Sequence, residues 1–239
     1  MSFILEICAG TIKSAIAAQS GGADRIELCD NLAAGGTTPS FGMIFTAKKL
    51  LNIPIFPIIR PRGGDFFYSR EEFEIMKKDV ICCNKLGCEG LVLGMLNRDG
   101  SIDKERCSEL IALARPMQVS FHRAFDRCND LEKGLEEIIG LGCERVLTSG
   151  GERYAFDGIQ RLKALAGQAG KRISIMPGSG ITDKNIFEIA RETGTHEFHS
   201  TAKKLFEYGT DPVSKEPFQA FETAEENVSK LKKILSVIK

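Results

Sequence analysis

The sequence predicts an α/β protein with the (β/α)8 architecture of a TIM barrel, and three observations carry that prediction. Short β-branched runs alternate with amphipathic stretches from one end of the chain to the other. Eight strand–helix units share the 239 residues, about 30 residues each, the size of unit that closes into a (β/α)8 barrel. The turn after the first strand reads Cys8-Ala9-Gly10-Thr11. It lacks the Gly-rich dinucleotide turn that the rival doubly wound sheet places there. Strict alternation makes the strands parallel, because each return passes through a helix.

In order, the expected strands cover 3–8, 24–29, 54–60, 90–94, 117–122, 144–149, 173–177 and 196–200. The expected helices cover 11–20, 40–51, 70–86, 101–114, 130–141, 156–169, 183–193 and 220–238. The last carries Phe221, Ala224, Val228, Leu231, Leu235 and Ile238 at helical spacing. Glycines stop the helices at Gly21-Gly22, Gly87, Gly142 and Gly194, where a left-handed residue is expected. Ser69 and Thr182 read as N-caps. Pro57 sits awkwardly inside the third strand, since a central strand rarely accepts a missing N–H. No composition shift marks a second domain, so 1–239 reads as one barrel, with 202–239 forming its last loop and closing helix.

Composition narrows the partners. Lys+Arg and Asp+Glu are 32 each, Trp is absent and Tyr occurs 3 times. A phosphate-binding basic excess and a base-stacking platform are both missing, which argues against nucleic acid. The N-terminal run has no basic segment and is interrupted by Glu6, so a signal peptide is not expected. No apolar stretch approaches the length that spans a bilayer. The expected setting is cytoplasmic, with the 8 cysteines reduced and no CxxC pair for structural zinc. The remaining partners are a metal ion, a small anionic ligand, or other copies of the chain.

A polar residue within a barrel strand is expected to point inward, and near the C-terminal end it points at the mouth where such barrels work. By that parity Glu6 and Cys8 face in from the first strand, and Glu27 and Cys29 from the second. The two carboxylates are expected in one layer and the two thiols in the next layer toward the mouth. Arg60 follows inward from the third strand, with Arg62 on the loop after it. Ser120 and His122 face in from the fifth, Thr148 from the sixth, Glu197 and His199 from the eighth. A purely structural alternative pairs Glu6, Glu27 and Glu197 with Arg25, Arg60 and a protonated His, since buried charges are nearly always paired.

After the seventh strand, Met176-Pro177-Gly178-Ser179-Gly180-Ile181-Thr182-Asp183 enters a helix. Successive backbone N–H groups of Gly178, Ser179 and Gly180 there suit an anion. No Lys takes an inward strand-end position, which argues against Schiff-base chemistry. His196 and His199 have odd spacing and face opposite ways, which argues against a His-rich zinc site. Cys82, Cys83, Cys88, Cys107 and Cys143 read as packing residues. Cys128 lies near a helix start, where a thiol is more readily activated.

These motifs resemble the CutC family of copper homeostasis proteins. The resemblance is carried by Leu5-Glu6-Ile7-Cys8 and by Gly22-Ala23-Asp24-Arg25-Ile26-Glu27-Leu28-Cys29. It continues through Gly35-Gly36-Thr37-Thr38-Pro39-Ser40, Ile59-Arg60-Pro61-Arg62-Gly63-Gly64-Asp65-Phe66 and Phe121-His122-Arg123-Ala124-Phe125-Asp126. Val146-Leu147-Thr148-Ser149-Gly150 and the 176–183 turn complete it; beyond about residue 202 no segment is diagnostic. The resemblance implies a (β/α)8 barrel, a cytoplasmic setting, self-association and a role in copper homeostasis. It implies no particular reaction.

Two functions fit the residues. In the first, Cys8 and Cys29 hold Cu(I), a soft ion that favours sulfur, with Met176 as a remote third donor. Neighbouring strands about 4.8 Å apart bring two inward sulfurs within reach of one ion. In the second, the barrel is an enzyme acting on a small anionic, phosphorylated or sugar-like metabolite. Glu27 or His122 is then the general base, Arg60 and Arg62 bind the anion, and Asp126 orients a partner. Glu6, Arg123, Thr148, Gly178, Ser179, Gly180 and His199 complete that anion-binding set.

Overall fold

A computed structural model of the chain describes residues 3–238. All eight expected strand–helix units are present. They run β1 (Ile4–Ala9), α1 (Ile12–Ser20), β2 (Arg25–Leu28), α2 (Phe41–Leu50), β3 (Ile55–Pro57), α3 (Arg70–Lys85), β4 (Gly90–Leu93) and α4 (Lys104–Ala114). The second half runs β5 (Gln118–Phe121), α5 (Leu131–Leu141), β6 (Arg145–Thr148), α6 (Ile159–Ala169), β7 (Ser174–Pro177), α7 (Ile186–Thr193) and β8 (Glu197–Ser200). The chain then makes β9 (Lys203–Thr210), β10 (Pro217–Thr223) and α8 (Glu225–Ser236).

Ser69 caps α3 with its hydroxyl on the Glu72 amide, while the Glu72 side chain returns to the Ser69 amide, a reciprocal capping box. Thr182 is not the cap expected for α7. Its amide bonds the Asn185 side chain in a turn, and the helix starts only at Ile186. The helices bury one apolar stripe each, as Leu131, Leu135 and Ile138 of α5 show. Those stripes meet outward strand residues such as Leu5, Ile7, Ile26 and Leu28, all fully buried. Each such side chain contributes about 1.5–3 kcal/mol through the water it leaves.

The barrel strands pair in parallel in two runs, β3-β2-β1-β8 and β4-β5-β6-β7. At one seam β3 meets β4 through the single bridge Ile58 to Val92. At the other, β7 lies beside β8 with no ladder among the described residues. A proline stands at each seam for the same reason. Alternate residues of a parallel strand send their N–H to opposite neighbours. The Ile58 amide bonds Leu28 on the β2 side, and Ile59 bonds Val92 on the β4 side, so Pro57 lacks a donor toward β4. Likewise the Ser174 and Gly178 amides bond Glu144 and Thr148 on the β6 side, so Pro177 lacks one toward β8. Proline is tolerated here because it ends a ladder rather than interrupting one.

The segment after β8 corrects the expected last loop and long closing helix. Residues 203–223 form an antiparallel hairpin, and only 225–236 are helical. Phe221, expected on the buried helix face, is a β10 residue 63% exposed. The hairpin lies against α1, with the Thr223 amide on the Ser14 hydroxyl and Lys13 on both Tyr208 and Glu222. Among the described residues no helix is long and apolar enough to cross a membrane.

Candidate functional site

The barrel interior starts with a layer of paired charges. Arg25 Nε donates to Glu6 at 2.5 Å, and its Nη2 donates to Glu197 at 2.6 Å. Arg145 from β6 also donates to Glu197, at 3.2 Å, and to the Ser120 hydroxyl. The Phe56 ring lies 5.1 Å from both guanidinium carbons, a cation–π contact on each side. Gly90 makes room for that ring: a Cβ there would lie 2.1 Å from Phe56 Cε1. Met176, the remote copper donor of the sequence reading, instead accepts from Arg25 at 3.3 Å and belongs to this layer.

The expected layering of the carboxylates and thiols is corrected by the strand register. Glu6 stands opposite Arg25, and Cys8 opposite Glu27, so β2 is shifted by two residues along β1. The tilt of barrel strands produces such a stagger. Glu27 therefore lies level with Cys8, not with Glu6, yet the thiols still meet. Cys8 Sγ and Cys29 Sγ are 3.5 Å apart, and an oxygen of Glu27 lies with both sulfurs inside a 4.8 Å cluster.

His199 links the charge layer to this cluster. Its Nδ1 is 2.7 Å from Glu6, and its Nε2 is 3.6 Å from Glu27. Burial works against the imidazolium, but Glu27, Cys8 and Glu6 outweigh it and hold His199 protonated well above its ordinary value. Burial likewise opposes the Glu6 charge, but Arg25 and His199 prevail and bring its carboxyl down to about 2. Glu27 moves the other way: burial, reinforced by the Glu6 charge, raises it despite His199. The hydrogen bond to Cys29 and burial raise Cys8 well above an ordinary thiol. For Cys29 the Cys8 hydrogen bond acts downward, and burial with the Glu27 charge takes it up to about 12. Both thiols are thus protonated at neutral pH. Glu6, placed by sequence among the anion-binding residues, is fully buried under His199 and acts on it rather than on a ligand.

The opposite wall holds Arg60, Phe66 and His122. Arg60 does not pair with Glu27, as its parity suggested. Its Nη1 donates to the carbonyls of Ala34 and Gly36, and its Nη2 to that of Gly64. The third strand ends at Pro57, so Arg60 lies beyond it and its side chain turns toward the two loops. The His122 Nδ1 accepts from the Ala124 amide, which leaves the proton on Nε2.

Burial and the Arg60 charge push His122 down to about 3. Between pH 6.5 and that value the unfolded chain binds a proton that the folded chain refuses. Stability therefore falls as pH falls, by at most about 1.4 kcal/mol per pH unit from this group. Urea denaturation of wild type and His122→Asn at pH 6.5 and pH 5 checks it. The wild type is expected to lose more stability across that interval, and parallel losses would refute the assignment.

Several expected site residues lie elsewhere. Arg62 is paired with Glu72 at 2.5 Å and Asp65 at 3.0 Å, bracing the loop before α3, and it does not line the cavity. Thr148 points away from the barrel axis because Leu147, not Thr148, has the inward parity on β6. Its hydroxyl donates to Asp126. Asp126 also accepts from the Ser149 and Gly151 amides and from Arg123, so it knits two loops together and fixes Arg123. The Gly178 amide bonds the Thr148 carbonyl and is not presented as an anion donor.

One cavity of about 1080 Å³ joins these walls at the C-terminal end of the barrel. Cys8, Glu27, Arg60, His122, Arg123, Ser179, Gly180 and His199 line it among the expected residues. Sequence reasoning missed Arg145 in the charged layer and, in the cavity lining, Leu147, Phe66, Tyr154 and the hairpin residues Lys203 and Phe221 that roof one side. Leu147 shares its parity with Arg145, and a charged residue at 145 is the signal that could have turned this face of β6 inward. Tyr154 was not legible because its irregular loop has no period, and Phe221 was not because its spacing continues that of α8.

The model of the CutC family matches residues 3–204. The human copper homeostasis protein cutC homolog is 49% identical over 207 residues, covering 87% of this chain and 76% of that one. A family protein CutC from Bacteroides thetaiotaomicron is 45% identical over 238 residues, 98% of this chain and 96% of its own. The crystal structure described as the copper homeostasis protein CutC of Streptococcus agalactiae has a TM-score of 0.80 at 36% identity. It covers 83% of this chain and 98% of that one. The strand-end thiols, the charged layer and the Arg60–Phe66 and His122–Asp126 segments all fall inside residues 3–204, and this chain belongs to the CutC family.

Proposed function

We propose that this protein binds Cu(I) through Cys8 and Cys29 as part of copper homeostasis. The observation that carries the reading is the 3.5 Å approach of the two sulfurs beneath an open cavity. Paired thiolates are a soft donor set, which selects Cu(I) over hard cations. Each thiol gives up its proton on binding, and Glu27 stands beside both sulfurs to receive one. His199 in turn holds Glu27 in place. Gly36 keeps the approach open, since a Cβ there would lie 3.3 Å from the Cys29 sulfur.

The test is Cu(I) binding in competition with a chromophoric chelator, for wild type and for the Cys8→Ala, Cys29→Ala double variant. Wild type is expected to take up Cu(I), and the double variant to lose that uptake while keeping its fold. Equal stoichiometry and affinity in the two would remove the reading.

A second reading, an enzyme for a small organic anion, is favoured by the size of the cavity. About 1080 Å³ is far more than one ion needs and is typical of organic ligand sites. Glu27, with its raised carboxyl, is the base it would use.

A further inference from the structure

Arg60 is 4% exposed, and among the described residues its guanidinium forms no ion pair with any carboxylate. Its two terminal nitrogens are held by three backbone carbonyls, which fix its plane but do not neutralise its charge. Its Nε has no partner. The contrast with Arg25, Arg145 and Arg62 is sharp, because each of those touches a carboxylate. Buried charges are nearly always paired, so a solitary guanidinium at the wall of a cavity points to a counter-ion from outside the chain.

A second donor stands beside it. His122 Nε2 is buried without a partner, and its protonated state is set by the Ala124 amide on Nδ1. The Tyr68 hydroxyl, buried and within the field of Arg60, is a third unpartnered group. The Phe66 ring covers the first two, 4.8 Å from the Arg60 guanidinium carbon and 5.0 Å from the His122 ring centre. Every one of these orphaned groups can donate, and both arginine and the Nε2–H of neutral histidine can only donate. A cation or a carbonyl-poor apolar ligand would leave them unsatisfied.

We propose that Arg60 and His122 form a binding subsite for the carboxylate of a small organic acid, reached when the Phe66 side chain moves aside. One fixed positive charge balances one carboxylate, whereas a phosphate dianion would retain an excess charge in a buried corner. The rest of the ligand lies against Ile58, Leu32 and Leu147, which line the same cavity. Movement of Phe66 is a side-chain rotation, since its carbonyl stays bonded to the Leu96 amide. The proposal rests on the small-anion reading of the mouth and is independent of Cu(I) at the thiols.

Benzoate is a suitable probe, because its ring matches the apolar lining. Binding is read from the His122 Nε2–H resonance of 15N-histidine-labelled protein, with inorganic phosphate as the comparison. Wild type is expected to show saturable benzoate binding tighter than phosphate. Arg60→Lys and His122→Leu are each expected to weaken it about tenfold or more, the loss of one charge-assisted or buried hydrogen bond. For His122→Leu the benzoate signals themselves are followed. Phe66→Ala, which uncovers the donors, is expected to bind more tightly. Cu(I) affinity is expected to be unchanged in all three variants. No saturable benzoate binding, wild-type affinity in both Arg60→Lys and His122→Leu, or tighter binding of phosphate would each overturn the proposal. Should Arg60→Lys fail to fold, His122→Leu and the wild-type phosphate comparison still decide it. Binding is read without turnover, so a protein that binds benzoate and catalyses nothing defeats the enzyme reading alone.

Discussion

Glu6→Ala is expected to cost about 3–5 kcal/mol of folding stability, the range for breaking a buried ion pair from one side. Glu6 is fully buried and touches two cations, Arg25 at 2.5 Å and His199 at 2.7 Å. Removing it leaves Arg25, Arg145 and protonated His199 facing only Glu197 and Glu27. Water cannot enter freely to solvate the surplus, and Arg25 cannot shed its proton. Glu6→Gln, which keeps the size and one acceptor, should fall between the two. The readout is the urea midpoint at pH 7 with an unchanged slope, so that the difference reports stability rather than a change in the unfolded chain. A loss within about 0.5 kcal/mol, the ordinary range for surface changes, would mean that Glu6 is not the counter-ion of this layer.

Gly90→Ala is expected to destabilise by about 1–3 kcal/mol or more, the cost of overpacking a filled interior. The added methyl would sit 2.1 Å from Phe56 Cε1 and 2.4 Å from Cζ. The ring cannot retreat easily, because Arg25 and Arg145 both lie against it. The clash is therefore specific to one partner, and a double-mutant cycle exposes it. Phe56→Leu removes the ring and is expected to cost less in the Gly90→Ala background than in wild type. A coupling of about 0.5–3 kcal/mol is the range for residues in contact. Strict additivity of the two substitutions would show that Gly90 is needed for some other reason.

Much of this fold is written locally. The Cβ direction alternates along a strand whatever surrounds it, so parity alone turned Cys8, Glu27 and Cys29 into the barrel and Leu5, Ile7 and Ile26 toward the helices. Helix caps depend on residues three apart, which is why Ser69 with Glu72 identified the start of α3. Where the local signal was ambiguous, the sequence misled. Phe221 continues the helical spacing of α8, yet the chain there pairs β10 with β9 and lines the cavity. Thr148 is expected inward only because it is the polar residue at its strand end, whereas Arg145 and Leu147 hold the inward parity of β6.

By itself, then, the sequence determined eight strand–helix units, the inward direction of the strand residues and the presence of two thiols and a set of charges at one end. Which of those groups meet was decided only by the tertiary structure. Parity says that a side chain points inward but not how far along the axis it lies. The two-residue stagger between β1 and β2 made Cys8 the neighbour of Glu27 and left Glu6 to Arg25 and His199. Loops have no period, so the carbonyls of Ala34, Gly36 and Gly64 that hold Arg60 could not be foreseen. Strand tilt and loop conformation are set by packing the whole barrel at once, and that is the information no local pattern contains.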